Sequence, residues 1–257
     1  MPLTKYFRSD LPLGGFDGRK SQLPLNFIHE EKQFILKDII PGDFDYIISL
    51  QKHVEPSPHV RTAVDSIPER HMFVFLHLEK GLLHVDTTAL SSAAKKVIIR
   101  DALTGLADLH DEHIIHTDIK PANTMMDSFK QQNGDLEWCN AIFAWITNMV
   151  FFTEKANRAS PEEQAKPILS RHLSFFTSSE EDFDGFIAYH GGENSPFIER
   201  IKELCKTLSE ENPGLPFETW QQADPQFRDL VCKMTCLDPF QRIAAREALQ
   251  HPWFAAE

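Results

Sequence analysis

The chain has 257 residues, 42% hydrophobic and 25% charged, enough to bury a core as one large domain or as two lobes sharing a cleft. Its formal net charge of −12 opposes phosphate-bearing partners, which excludes nucleic acid and an anionic membrane surface as expected ligands. The 4 cysteines make no disulfide framework for this size, and Cys232 and Cys236 lack Cys or His partners at zinc spacing. Reduced thiols and an intracellular setting, cytoplasmic or nuclear, are therefore expected.

Residues 1–25 are rich in Gly, Pro and Ser, with no basic stretch leading into an apolar core, and read as an irregular leader without a signal peptide. Gly14, Gly15 and Gly18 invite a phosphate-cradling reading, because glycine lets backbone N–H groups come close to a phosphate. Leu25–Glu30 and Gln33–Asp38 then read as two strands joined by a turn at Glu31-Lys32. The second strand runs Phe34-Ile35-Leu36 into Lys37, a lysine that in isolation reads as a snorkelling edge charge. Phe44–Val54, after Pro41-Gly42, predicts a short helix without any Glu. Residues 71–76 predict a strand, followed by Glu79-Lys80-Gly81. Ser91–Glu112 is the strongest helix of the chain, capped by Ser91 or Ser92, with Ile99, Leu103, Leu106 and Leu109 on one apolar face.

The stretch that carries chemistry follows that helix: His116-Thr117-Asp118-Ile119-Lys120-Pro121-Ala122-Asn123, leading into the short strand Thr124–Asp127. Each residue alone would suit an ordinary polar turn. Together, in a helix–loop–strand setting, they closely match the catalytic loop of the protein kinases. Leu237 to Leu249 followed by His251-Pro252-Trp253-Phe254 likewise resembles the last helices of that family. The chain thus resembles a eukaryotic-type protein kinase, most like a group of divergent fungal kinase-domain proteins.

The resemblance implies an α+β, bilobal fold: a leader over 1–25, a small β-rich lobe over 26–78 and a mainly helical lobe over 79–257. It implies ATP and Mg2+ as cofactors and a protein substrate or docking partner, with no nucleic acid and no membrane. Asp118 would orient the substrate Ser or Thr hydroxyl, Lys120 would face the transferred phosphate and Asn123 would be the metal ligand. Lys37 would be the nucleotide lysine, and the backbone of Phe75, Leu76, His77, Leu78 and Glu79 would line the adenine pocket. Thr117 replaces the Arg that reads a phosphorylated activation loop, so control by that route is not expected. Ile48 stands where the family places the Glu that pairs with the lysine.

The resemblance has a gap. No Asp occurs between Asp135 and Asp182 and no Gly between Gly134 and Gly185, so the magnesium-binding Asp-Phe-Gly is missing beyond the hairpin turn at Gln131–Asp135. Either Trp145-Ile146-Thr147 stands in its place, or Ala141–Phe152 is the second half of the buried large-lobe helix. The apolar character of that run favours the second reading. The excision then resembles a skipped exon or a gene-model error. At twelve residues interrupted by Thr147 and Asn148, the run is also too short to span a bilayer. Ser160-Pro161-Glu162 and Asp182-Phe183-Asp184-Gly185 mimic family motifs in the wrong places, the latter in an acidic, turn-rich stretch. Ile168–Phe176, Pro196–Leu208 and Pro225–Cys236 predict helices, the last with Phe227, Leu230, Val231 and Met234 inward. Arg242, whose family partner is a Glu absent here, is expected to be exposed or to find another acid. Impaired phosphoryl transfer and a pseudokinase binding module are the two resulting functional expectations.

Overall fold

The computed structural model describes residues 25–29, 32–78, 80–82, 85, 90–116, 119, 123–126, 173–176, 180–192, 194–211 and 216–255. Their contacts define two compact units. One is drawn from Met1–Val85 and Gly105–Lys130, the other from Asp86–Thr104 and Gln131–Glu257. The leader, the hairpin at 131–135, the 141–152 run and Ser160-Pro161-Glu162 lie outside the described residues, as do Asp118, Lys120 and Glu79.

The first unit is built on a four-stranded antiparallel sheet of β1 (Leu25–His29), β2 (Lys32–Asp38), β3 (Asp65–Ile67) and β4 (Met72–Leu76), in the order β1-β2-β4-β3. The β1–β2 register pairs His29 with Lys32, so Lys32 opens the strand and does not belong to the turn. Alternation along β2 and β4 sorts the side chains onto two faces. Leu36, Ile67, Met72 and Val74 form one cluster with Phe34 against it. The opposite face carries Phe73, whose ring lies 4.9 Å from that of Phe44 at the start of helix α1 (Phe44–Val54). Both faces of β4 are therefore covered, and Phe73 and Val74 are fully buried.

Helix α2 (Ser92–Asp111) begins where expected. The Ser91 hydroxyl accepts the Ala94 N–H at 3.2 Å, satisfying one of the donors a helix start leaves open. It ends in a Schellman turn: Ile114 N–H reaches Leu109 C=O at 2.8 Å, and His113 N–H reaches His110 C=O at 2.9 Å. His113 takes the left-handed conformation (φ 57°) that glycine usually fills. In the first unit, Gly105 of this helix lies so close to the turn after α1 that an added Cβ would stand 2.6 Å from the His59 carbonyl oxygen. Ser57 in the same turn donates to Asp108 at 2.5 Å. A two-stranded ribbon of β5 (Lys80–Gly81) and β6 (Met125–Met126) completes the unit.

The second unit is helical: residues 173–176, α3 (Glu180–Tyr189), α4 (Pro196–Glu211), α5 (Pro225–Thr235), α6 (Ala245–Ala248) and α7 (Pro252–Ala255). Asp224 caps α5 by accepting Phe227 N–H at 2.8 Å, and Pro225 sits at its first turn, where a missing N–H costs nothing. Phe227 and Leu230 of α5 are buried, while Val231 and Met234 are half-buried. Leu173, Ile201 and Leu237 form one core cluster with Phe183 and Phe186. An aromatic chain runs from Phe175 through Trp220, Phe217, Phe227 and Trp253 to Phe254, neighbouring rings meeting edge-on or tilted. Lys96 and Arg100 of α2 lie over Trp253 and Phe254, and Arg100 also donates to the Phe254 carbonyl at 2.6 Å.

One expectation is revised here and one is met. The Asp182–Gly185 stretch is helical, because Phe183, Phe186 and Ile187 repeat at helical spacing and turn inward. Its Gly185 is demanded by packing, since a Cβ there would fall 2.3 Å from Asp238 Cγ. Arg242 is exposed and donates to the backbone carbonyls of Cys236 (2.8 Å) and Leu237 (3.3 Å), with no carboxylate pairing it among the described residues.

Candidate functional site

The site builds from the β2–β4 pair. Lys37 is the Cα partner of Phe73, so it shares the face on which Phe73 meets Phe44. That places the lysine on the α1 side of the sheet. Its side chain is exposed, and among the described residues it makes no ion pair. In α1, Ile48 lies one turn beyond Phe44 and is half-buried, so the position carries apolar packing instead of a carboxylate.

The strand end Phe75-Leu76 pairs with Ile35 and Phe34, two and three residues before Lys37 on β2, and His77-Leu78 follow. Their backbone groups differ in availability. His77 N–H donates to Gln33 C=O at 2.8 Å. Leu76 C=O accepts from Arg61 Nη2 at 2.5 Å, and the Arg61 guanidinium carbon lies 5.1 Å from the Phe75 ring centroid. Desolvation of that guanidinium lowers its pKa from the ordinary arginine value. Leu78 has no hydrogen-bond partner among the described residues. Arg61 was not anticipated, since its contact depends on where β3 ends relative to β4 and no motif marks it.

Of the loop residues, His116 and Asn123 are described and exposed, and Ile119 is exposed as well. The loop is anchored in the first unit at both ends: the Schellman turn closes its start, and Leu82 N–H donates to Thr124 C=O at 2.8 Å just past Asn123. The structure thus puts Lys37 and Phe75-Leu76 on paired strands, and describes Asn123 without Asp118 or Lys120. As a metal ligand Asn123 brings one neutral amide oxygen, and among the described residues no three His, Cys, Asp or Glu side chains converge on a metal position. A neutral amide is a weak ligand for magnesium, which prefers carboxylates and waters, and the loop's carboxylate, Asp118, lies outside the described residues.

Away from this region, His251 is buried, with Nε2 2.8 Å from Asp229 and Nδ1 accepting Trp253 N–H at 3.3 Å. The second contact fixes the proton on Nε2 of the neutral ring. Lys233 bonds Asp229 at 2.7 Å, and this contact, followed by that of His251, holds the Asp229 pKa below the ordinary carboxylate value. Burial, followed by the charges of Glu218 and Asp229, pushes the Cys232 thiol up to about 11, so it is no nucleophile at neutral pH.

The architecture is that of a protein kinase. A yeast RNA polymerase II CTD kinase complex (CTDK-1) contains a chain that superposes with a TM-score of 0.61 at 15% identity, covering 96% of this chain and 97% of its own. No family model matches the sequence. Among known proteins it is similar to the phosphorylase b kinase gamma catalytic chain, liver/testis isoform, of Bos taurus: 25% identical over 218 residues, 79% of this chain and 52% of that one. A probable serine/threonine-protein kinase, fhkB, of Dictyostelium discoideum is 27% identical over 173 residues, 63% of this chain and 14% of the relative. The chain is similar to protein kinases in sequence and shares their fold. It spans about half the length of the phosphorylase kinase chains it matches. Among the described residues no helix is long and apolar enough to cross a membrane.

Proposed function

We propose that the chain binds ATP between Lys37 and the backbone at Phe75–Glu79, and transfers phosphate weakly to Ser or Thr hydroxyls of a protein. The observation that carries this reading is the register setting Lys37 opposite Phe73, on the α1 face, two residues along β4 from the Phe75-Leu76 end that would read the base. Lys37 would meet the phosphates as a cation. Asp118 would orient the acceptor hydroxyl and take its proton, Lys120 would face developing negative charge, and Asn123 would be a metal ligand. ATP supplies the phosphoryl group when bound.

Weak transfer follows from what surrounds these groups. With Ile48 instead of a Glu at the pairing position of α1, and no ion pair to Lys37 among the described residues, the Lys37 ammonium is not held in one position, and each 1.36 kcal/mol of lost transition-state stabilisation is tenfold in rate. The second reading, a pseudokinase that docks a protein partner without chemistry, is favoured by the apolar Ile48 at the pairing position.

The test is nucleotide binding by calorimetry, with and without magnesium, on the wild type and on Lys37→Ala and Asp118→Asn variants, alongside phosphate transfer to a generic protein substrate. Binding lost in Lys37→Ala and kept in Asp118→Asn supports the site. Slow transfer abolished by Asp118→Asn supports the enzyme, and binding without transfer supports the pseudokinase. Absence of any nucleotide binding by the wild type defeats both.

A further inference from the structure

The geometry points to Arg61 as a determinant of base selectivity: by occupying the Leu76 carbonyl it turns the base-reading edge away from 6-amino purines and toward 6-oxo purines. This rests on the reading of residues 75–79 as the segment that meets the base.

Backbone groups alternate sides along a strand. His77 N–H points to β2, where Gln33 accepts it, so the backbone groups of Leu76 point the other way. On that side β3 pairs no further along β4 than Asp65 opposite Val74, so no strand takes up the Leu76 carbonyl. Arg61, four residues ahead of β3, fills the gap with its guanidinium, braced against the Phe75 ring. An acceptor has been replaced by a fork of donors, because a guanidinium offers five N–H groups and accepts none.

The consequence is chemical. The 6-amino group of adenine is a donor; at this edge it must share the acceptor with Arg61 and faces another donor. The 6-oxo group of hypoxanthine is an acceptor and can take an N–H from Arg61, as guanine O6 does from arginine elsewhere. Leu78, whose backbone has no partner among the described residues, remains for the rest of the base edge.

Calorimetric titration of the full chain with ATP and with inosine triphosphate, which differ on this edge, tests the assignment. The wild type is expected to bind inosine triphosphate at least as tightly as ATP. Arg61→Met, which keeps the packing on Phe75 and removes the donors, is expected to shift the ratio about tenfold toward ATP. A wild type that prefers ATP tenfold, or an Arg61→Met variant that binds both nucleotides with an unchanged ratio, overturns the inference and leaves the nucleotide site standing. The wild-type ratio decides the matter even if the variant does not fold. Failure of both nucleotides to bind the wild type overturns the site and the selectivity together.

Discussion

In the helical unit the chain is held by rings meeting edge-on or tilted from Phe175 to Phe254, whereas in the sheet unit a thin four-stranded sheet carries its functional candidates at its rim. The first arrangement keeps large apolar side chains out of water: Phe217, Trp220, Phe227, Trp253 and Phe254 are all buried. The second leaves Lys37, Asn123 and Arg61 exposed, with only Phe73, Val74 and their neighbours sealed. The difference separates residues kept for packing from polar residues exposed at the surface. A change in the helical unit should be read in stability, and one at the sheet rim in binding.

The strongest way to break that contrast is Trp253→Ala, which removes the ring touching Phe227, Phe254 and Lys96. A loss of about 3–5 kcal/mol is expected in denaturant unfolding. Next comes Gly105→Ala, which pushes a methyl against the His59 carbonyl oxygen, a backbone atom with little room to move. It should cost about 1–3 kcal/mol, and it tests whether the sheet unit has its own rigid contact. A smaller effect is expected from Asp229→Ala, about 1–2 kcal/mol, because the buried His251 Nε2–H loses its acceptor. This pair also sets a pH dependence. The Asp229 pKa is depressed in the folded chain, so its contribution is present above the ordinary carboxylate pKa and is lost as pH falls through the depressed one. The variant should flatten acid unfolding below about pH 4. Smallest in stability is Lys37→Ala, expected within about 0.5 kcal/mol of wild type, while its ATP affinity falls more than tenfold. A large loss of stability there would erase the distinction between the two units.

Where local chemistry decides structure, the sequence was legible. Pro41-Gly42 ahead of an apolar period marked α1 to its residue bounds, Ser91 marked the start of α2, and Asp224-Pro225 stands at the start of α5. Where neighbours distant in the chain decide it, the sequence was mute. Glu30-Glu31-Lys32 has no turn-forming Gly or Asn, so only the register shows that Lys32 is already strand. The acids and glycine of Asp182–Gly185 hid a helical period that Asp238 and the core make real. Of the candidate site, the strands that carry Lys37 and Phe75-Leu76 were legible, and Asn123 as the end of a loop ahead of a short strand. Arg61 was not, since a cation before a short strand signals nothing until the strand is seen to stop short of Leu76.

The left-handed His113 at the end of α2 has a consequence for evolution. A non-glycine residue there costs about 1 kcal/mol, so a single change to glycine would relax the turn, and selection for stability alone would favour it. Keeping a side chain at that bend, immediately upstream of Asp118, trades a small stability gain for a stiffer entry into the loop. Comparing how sharply the loop's chemical shifts respond to nucleotide in the wild type and in His113→Gly would reveal whether that stiffness is used.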